Sequence, residues 1–201
     1  MRVNKKNKRF VYLISPKKIK NEEFYTRLNQ VLSSKKVSFF QLRLKKENIK
    51  NQIYIAKKIK KISKKYHVKL IINDNPLLAK KVGADGCHLG QKDMSILKAR
   101  KILKNKIIGI TCHNSINLAR KAISDGADYL AFGAFYSSKT KKVRYKARLR
   151  VLSLAKEMTI TPVVAIGGIK DTNYKKLLLN KANFLAISDY IWNNKKLNPR
   201  E

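Results

Sequence analysis

Short runs of β-branched, aromatic and other apolar residues recur along the chain, and polar or amphipathic stretches separate them. Runs of this length, bounded by turn residues, are typical of buried strands. They predict eight strands, over Phe10–Ser15, Phe39–Leu44, Lys69–Asn73, Gly86–Leu89, Ile107–Thr111, Tyr129–Phe135, Pro162–Ile166 and Phe184–Ser188.

The segments between these runs have apolar residues at helical spacing. Before Lys69, for example, Ile53, Ala56, Ile59 and Ile62 fall on one helix face. Strands that alternate with helices indicate a parallel sheet covered by helices. Eight such units in 201 residues favour a barrel over an open doubly wound sheet, which usually has fewer strands. We therefore expect an α/β fold, a single (β/α)8 TIM barrel.

The composition indicates the number of domains and the cellular compartment. A hydrophobic content of 44% is enough for one core, so residues 1–201 are expected to form one domain with a basic N-terminus and a short polar C-terminal tail. No apolar stretch approaches the roughly 18–20 residues of a membrane span, and no signal peptide is evident. We expect a cytoplasmic protein in which Cys87 and Cys112 are reduced.

The formal net charge of +35 makes a polyanion the first partner to consider. The lysines, however, are spread over the whole chain, at regular places on what we interpret as exposed helix faces, such as Lys57–Lys58 and Lys64–Lys65. A nucleic-acid-binding protein more often concentrates its charge in one stripe with interleaved aromatic residues. The charge therefore predicts a solvated surface with salt-sensitive attraction to polyanions, and no specific nucleic acid.

Three long polar side chains lie on one face of the predicted second strand, where Gln41, Arg43 and Lys45 alternate with leucines. A strand of a parallel sheet is normally apolar on both faces, and burial of unpaired cations is costly. The three side chains indicate an anionic or polar ligand in the barrel mouth. The alternative is that Lys45 begins a solvated loop and that Arg43 pairs with a barrel carboxylate.

Two of the few carboxylates follow strands directly. Asp74 comes after the third predicted strand and Asp93 after the fourth, so both fall at carboxyl ends, where barrels of this type place their chemistry. Two carboxylates in an otherwise cationic site suit Mg2+, which takes one or two protein oxygens and fills its remaining positions with water and phosphate. The alternative is that each aspartate caps the helix that follows it. Asp85 and Asp128 precede strands, and we interpret them as turn residues.

Three further segments suit phosphate. The loop Ser137–Lys141 combines hydroxyl and ammonium groups. Gly167–Gly168 and Ile187–Ser188 end the seventh and eighth predicted strands, and the loops there are the recurring phosphate site of this fold.

The pairs Cys87–His88 and Cys112–His113 raise the possibility of zinc. Neighbouring residues of a strand point to opposite faces, and the usual ligand spacings are absent, so a zinc site is not expected. His113 could serve as a base, although a packed or loop histidine is the more ordinary role.

Taken in order, these segments resemble the thiamine phosphate synthase family. The likeness runs along most of the chain, and its pieces are Val11–Ser15, Gln41–Lys45, Ile72–Asp74, Ala84–Asp93, Ile108–His113, Gly126–Tyr129, Ser138–Lys141, Ala165–Ile169 and Ile187–Ser188. Each piece alone is a weak signal, and the ordered set is a strong one.

The resemblance implies a Mg2+-assisted transferase that joins a pyrimidine diphosphate to a thiazole phosphate with release of diphosphate, by a dissociative route. It implies four groups of residues in this sequence: Gln41, Arg43, Lys45 and Asn73 for the pyrimidine diphosphate; Asp74 and Asp93 for Mg2+; Thr111, Ser138, Thr140 and Lys141 for diphosphate or thiazole phosphate; and Gly168, Ile187 and Ser188 for the thiazole phosphate. Of these, Arg43, Lys45 and Lys141 would stabilise the departing negative charge. The partners would be small-molecule substrates, in a possible homo-oligomer.

The sequence departs from the family at a few positions. Ser138 and Thr111 are conservative replacements that keep a hydroxyl, Lys181 stands where a glycine is expected before the last strand, and the segment Lys142–Arg150 is unusually basic and lacks the usual glycine. Two alternative functions remain open, a thiazole tautomerase of the same superfamily that uses a histidine such as His113, and a non-catalytic barrel that binds polyanions.

Overall fold

A computed structural model of the chain describes residues 10–137 and 145–194. Eight parallel strands follow one another around a closed barrel, each hydrogen-bonded to its neighbours in chain order and the last to the first. The strands are β1 (Val11–Ile14), β2 (Val37–Leu42), β3 (Lys69–Asn73), β4 (Gly86–Leu89), β5 (Ile107–His113), β6 (Tyr129–Gly133), β7 (Val163–Ile166) and β8 (Phe184–Ile187). The predicted (β/α)8 barrel is confirmed.

A helix follows each strand and covers the outside of the barrel. The helices are α1 (Glu22–Ser33), α2 (Ile49–Lys65), α3 (Pro76–Val82), α4 (Ile96–Leu103), α5 (Ile116–Ser124), α6 (Arg150–Met158), α7 (Tyr174–Leu179) and α8 (Asp189–Trp192). Among the described residues, no helix is long and apolar enough to cross a membrane.

The second strand begins and ends two residues earlier than predicted. β2 ends at Leu42, so Arg43 and Lys45 lie in the loop after the strand. The amide of Arg43 donates to Ser15 Oγ at 2.9 Å, and a turn then closes from Leu44 to Glu47. Here the local turn overrides the alternation of polar and apolar residues that suggested a longer strand. All eight strands agree with prediction to within two residues at each end.

Two layers of apolar side chains stabilise the fold. The larger layer lies between the helices and the sheet. The smaller one fills the barrel interior and consists of Tyr12, Ile14, Tyr129, Ala131, Val164 and Ala186, with Phe39, Ile107, Ile166 and Phe184 packed against them. The Tyr129 ring fits only because residue 109 is glycine, since a Cβ there would lie 1.8 Å from the Tyr129 ring. The interior is thus a packed aromatic core, as barrels of this size require.

The amino edge of the barrel is the edge at which the strands begin. One hydrogen-bonding motif occurs there three times. The residue before β4, β6 or β8 accepts a hydrogen bond from the first amides of the neighbouring strand: Asp85 from Leu70 N, Asp128 from Ile108 N and Asn183 from Val163 N. Asp85 and Asp128, which we interpreted from the sequence as turn residues, therefore also fix strand register, and Asn183 does the same.

Each motif is preceded, two residues earlier, by a residue in the left-handed region. Gly83 has φ 62°, Gly126 has φ 88° and Lys181 has φ 69°. The glycine that the family resemblance led us to expect before β8 is thus replaced by a lysine in the same backbone conformation. The strand entry keeps its shape, and the cost is local backbone strain.

Lys181→Gly is expected to raise the free energy of unfolding by about 0.5–1 kcal/mol, because it removes a left-handed L-residue whose side chain is exposed. Gly126→Ala is the matched opposite change. A Cβ at residue 126 meets nothing within 4 Å, so its expected loss of about 1 kcal/mol comes from the backbone alone. Thermal unfolding should shift by about 2–4 °C per kcal/mol, upward for the first variant and downward for the second. A destabilised Lys181→Gly protein would contradict the strain argument.

Candidate active site

Several of the polar residues singled out from the sequence lie on consecutive loops at the carboxyl edge of the barrel. Arg43 and Lys45 follow β2, Asp74 follows β3, and Asp93 follows β4. Because all eight strands are parallel, their carboxyl ends meet at this one edge.

Asp74, Asp93 and Lys45 form an ionic cluster. Lys45 Nζ lies 2.6 Å from Asp74 Oδ2, and Asp93 Oδ2 accepts a hydrogen bond of 2.7 Å from the amide of Gly90. Burial raises the pKa of Asp93, and the adjacent Asp74 carboxyl raises it further, whereas the Gly90 amide lowers it. The two carboxyl groups are therefore close enough to interact, and their mutual repulsion is a reason for a cation to bind between them.

Neither aspartate caps a helix. Asn75 Oδ1 caps α3 by accepting from Leu78 N, and Ser95 Oγ caps α4 by accepting from Lys98 N. Asp74 instead takes a left-handed conformation, with φ 63°, and its amide donates to the carbonyl of His88. The alternative interpretation of both aspartates as helix caps is therefore wrong.

Arg43 is partly exposed at the same edge, and no ion pair of its guanidinium group with a described carboxylate is present. Its charge is near enough to His88 to contribute to lowering the pKa of that imidazole. Arg43 is thus a cation at the barrel mouth, available to an anionic ligand.

A line of polar side chains runs through the barrel interior below this edge, and the sequence did not predict it. Gln41 Nε2 donates to Tyr12 Oη at 2.9 Å, the hydroxyls of Tyr12 and Tyr129 lie 2.7 Å apart, and Tyr129 Oη is 2.8 Å from His88 Nδ1. His88 Nε2 then lies 2.9 Å from Thr111 Oγ1. We call these five residues the interior relay.

The relay is uncharged at neutral pH. Burial lowers the pKa of His88 to about 4, and burial raises the pKa of both Tyr12 and Tyr129. The signal that could have found the relay is that Tyr12, Gln41, His88 and Tyr129 all occupy inward positions of strands, where branched apolar residues are usual.

The remaining predicted residues are dispersed around the same edge. Asn73 ends β3, Thr111 lies near the end of β5, and Ile187 ends β8. Ser188 Oγ donates to the carbonyl of Ser15 at 3.1 Å. Ser138, Thr140 and Lys141 lie outside the described residues.

Gly168, after β7, packs against the segment that follows β6. A Cβ on Gly168 would lie 2.3 Å from the carbonyl oxygen of Ser137, and the φ of Gly168 is 61°. Glycine is therefore required there by close backbone approach and by conformation. This packing gives the residue a structural role in addition to the predicted phosphate contact.

His113 and the two cysteines occupy separate surroundings. The His113 ring lies 4.2 Å from the ring of Tyr145, a residue just after the segment that is not described. Cys87 and Cys112 are free and buried in the layer between helices and sheet, whereas His88 reaches the interior relay. Cys87 and its neighbour His88 thus point to opposite faces of the strand, and burial raises the pKa of both thiols, which keeps them protonated.

Comparison with known proteins identifies the family of the chain. The sequence model of the family described as thiamine monophosphate synthase matches residues 11–191. Thiamine-phosphate synthase of Pelagibacter ubique (strain HTCC1062) is 72% identical over 201 residues, which cover 100% of this chain and 97% of the relative. That of Hyphomonas neptunium is 38% identical over 92% of this chain and 86% of the relative.

Solved structures of other proteins have the same fold. Thiamine phosphate pyrophosphorylase from Pyrococcus furiosus superposes with a TM-score of 0.84 at 28% identity, over 96% of this chain and 91% of the other. A truncated 3-deoxy-D-arabino-heptulosonate 7-phosphate synthase from Thermotoga maritima has a TM-score of 0.66 at 14% identity, over 95% of this chain and 79% of the other, and shares the fold alone. By its sequence over nearly the whole barrel, this chain belongs to the thiamine monophosphate synthase family.

Proposed function

We propose that the chain is a transferase that condenses 4-amino-2-methyl-5-(diphosphooxymethyl)pyrimidine with 4-methyl-5-(2-phosphooxyethyl)thiazole to thiamine phosphate and diphosphate. The observation that carries the proposal is the cluster of Asp74, Asp93 and Lys45 beside Arg43, at the carboxyl edge of a barrel from this family. Such a cluster suits a diphosphate leaving group, which needs cations around it and a metal bound to it.

The reaction breaks one bond and forms one. The C–O bond between the pyrimidine methylene carbon and diphosphate breaks, and its electron pair leaves with diphosphate. The thiazole nitrogen then supplies its lone pair to the methylene cation and forms the new C–N bond. The condensation needs no side-chain nucleophile and no net proton transfer, so the protein contributes charge stabilisation and alignment of the two substrates.

Each predicted substrate-binding residue has a proposed contact. Arg43 and Lys45, with Lys141 from outside the described residues, would stabilise the negative charge of diphosphate. Gln41 and Asn73 would hold the pyrimidine. Thr111, Ser138 and Thr140 would contact diphosphate or the thiazole phosphate. Gly168, Ile187 and Ser188 would hold the thiazole phosphate, in keeping with the phosphate site after the seventh and eighth strands of such barrels.

The donor set fits Mg2+. Asp74 and Asp93 offer two carboxylates, and Mg2+ takes one or two of these and leaves room for phosphate oxygens. When bound, the metal would supply electrostatic stabilisation of the leaving group. Lys45 pairs with Asp74 at 2.6 Å, so the same ammonium group can serve either the aspartate or the diphosphate.

The tautomerase alternative requires a histidine base such as His113 and no carboxylate pair. The interacting Asp74 and Asp93 therefore favour the synthase. They also argue against a barrel that only binds polyanions, for which +35 would suffice without a carboxylate pair. The cytoplasmic location and the homo-oligomer stay predictions.

The direct test is formation of thiamine phosphate from the two substrates, measured with Mg2+ and again with chelator. We expect product with Mg2+, loss of product with chelator, and recovery when Mg2+ is added back. A folded protein that makes no product under any of these conditions would overturn the proposed function.

Asp74→Asn and Asp93→Asn should each lower kcat/KM by about 100-fold or more, because either change removes a metal-binding charge. Asparagine tolerates the left-handed backbone of residue 74, so thermal unfolding should change little. Asp125→Asn is the matched control, since Asp125 pairs with Lys121 on the surface and should keep full activity. If the two site variants keep normal turnover, these aspartates are not the metal ligands.

Lys45→Met should change Mg2+ affinity and turnover number in opposite directions. Loss of the ammonium group frees Asp74, so Mg2+ titrated calorimetrically without substrate should bind several-fold more tightly. The turnover number should nevertheless fall by about 10-fold or more, because a cation for the leaving group is lost. Lys46→Met changes an exposed neighbour and should alter neither quantity. Weaker Mg2+ binding by Lys45→Met would contradict the competition between the two cations.

A further inference from the structure

Ser15, the residue after β1, is buried at the carboxyl edge of the barrel, where it is 4% exposed. Its amide donates to the carbonyl of Gln41 at 2.9 Å, and its hydroxyl donates to the carbonyl of Pro16 at 3.1 Å. The hydroxyl oxygen accepts from the amide of Arg43 at 2.9 Å, and the Ser15 carbonyl accepts from Ser188 Oγ at 3.1 Å. Ser15 thus joins the carboxyl ends of β1, β2 and β8.

The Ser15 hydroxyl takes a hydrogen bond that normally belongs to the sheet. In a parallel pair, a residue that donates its amide to one carbonyl of the neighbouring strand accepts, through its own carbonyl, from the amide two residues further on. Because Ser15 donates to Gln41, this pattern would send the amide of Arg43 to the Ser15 carbonyl. The amide goes to the hydroxyl instead, so β2 ends at Leu42 and Arg43 leaves the sheet.

The direction of Arg43 depends on this bond. Its neighbours Leu42 and Leu44 are buried, each with 3% of its surface exposed, and they hold the chain on either side. Apolar burial is not directional, so these contacts alone do not set how the residue between them points. A hydrogen bond is directional, and the bond to Ser15 therefore orients the residue that carries its guanidinium group to the barrel mouth.

We propose that Ser15 is a positioning residue for the reaction: its hydroxyl holds Arg43 where the guanidinium group can stabilise the departing diphosphate. Ser15 acts through Arg43 and touches neither substrate in this proposal. Displacement of a reacting or stabilising group by about 1 Å can cost about 100-fold in rate, so a contact away from the reacting atoms can have a large effect. The inference rests on the proposed function, which assigns diphosphate to Arg43.

Ser15→Ala removes the hydroxyl with little change in volume. It leaves the carbonyl of residue 15 to accept the amide of Arg43, so β2 should extend and turn Arg43 away from its present direction. We expect kcat/KM for the pyrimidine diphosphate to fall by about 10-fold. Ser15→Thr keeps the hydroxyl and should retain most of the activity. Ser15→Cys offers only a weak acceptor in nearly the same volume, so it should repeat the loss and provides the test if the alanine variant folds poorly.

Ser34→Ala is the matched control, because Ser34 makes the same pair of bonds at the other end of β2. Its hydroxyl donates to the carbonyl of Val31 at 2.7 Å and accepts from the amide of Lys36 at 3.3 Å. This serine lies before β2, at the amino edge, so its loss should leave kcat/KM unchanged.

A double-mutant cycle separates positioning of Arg43 from a general structural role. Arg43→Met keeps the backbone amide but removes the guanidinium group, and it should lower kcat/KM by about 100-fold. Because Ser15 acts through that group, adding Ser15→Ala to Arg43→Met should cause no further loss. Losses that multiply in the double variant, or full activity of both Ser15→Ala and Ser15→Cys, would overturn the proposal.

The same cycle can be measured without turnover. The probe is inorganic diphosphate, titrated calorimetrically in the presence of Mg2+. Ser15→Ala should weaken diphosphate binding several-fold in the wild-type chain and not in Arg43→Met. Equal affinities of the wild-type and Ser15→Ala chains would overturn the positioning role even when the synthase assay succeeds. A wild-type chain that shows this dependence but makes no thiamine phosphate would overturn the proposed function alone.

Discussion

Closure of the barrel between β8 and β1 is the constraint on which the site depends, because only a closed parallel sheet brings eight strand ends to one rim. Side chains of the first and last helices, α1 and α8, stabilise the junction between β8 and β1. Trp192 Nε1 donates to the carbonyl of Ile14 at 2.6 Å, and Arg27 donates to the carbonyls of Ile191, Trp192 and Asn194. The last helix thus holds the first strand, which carries Tyr12 of the interior relay.

The parts of the fold that follow from local periodicity could be predicted from the sequence, and the parts that follow from three-dimensional pairing could not. The alternation of strand and helix predicted the barrel and the edge that bears Asp74 and Asp93. The end of β2 was misplaced because Ser15, far away in sequence, takes the amide of Arg43. The interior relay was missed for the same reason, since its members come from five strands and no sequence spacing joins them.

The few acidic residues have two different roles, which the net charge alone does not show. Asp85 and Asp128 bind backbone amides at the amino edge and set strand register, whereas Asp74 and Asp93 interact at the carboxyl edge. With 12 acidic residues against 47 basic ones, few carboxylates remain to pair with lysines on the helices. The basic surface is therefore a consequence of composition, and the specific chemistry lies in where the few carboxylates are placed.

Left-handed backbone occurs at both edges of the barrel. At the amino edge, Gly83 and Gly126 take this conformation as glycines, whereas four of the described L-residues take it without that relief: Lys35, His67, Lys104 and Lys181. At the carboxyl edge, Gly167 and Gly168 are glycines, whereas Asp74 and His113 are not. Glycine at residue 74 would ease the backbone but would remove the carboxylate that meets Lys45 and interacts with Asp93. The proposed metal site therefore gives a reason for an aspartate at this position, because its charge would be needed where the backbone turns.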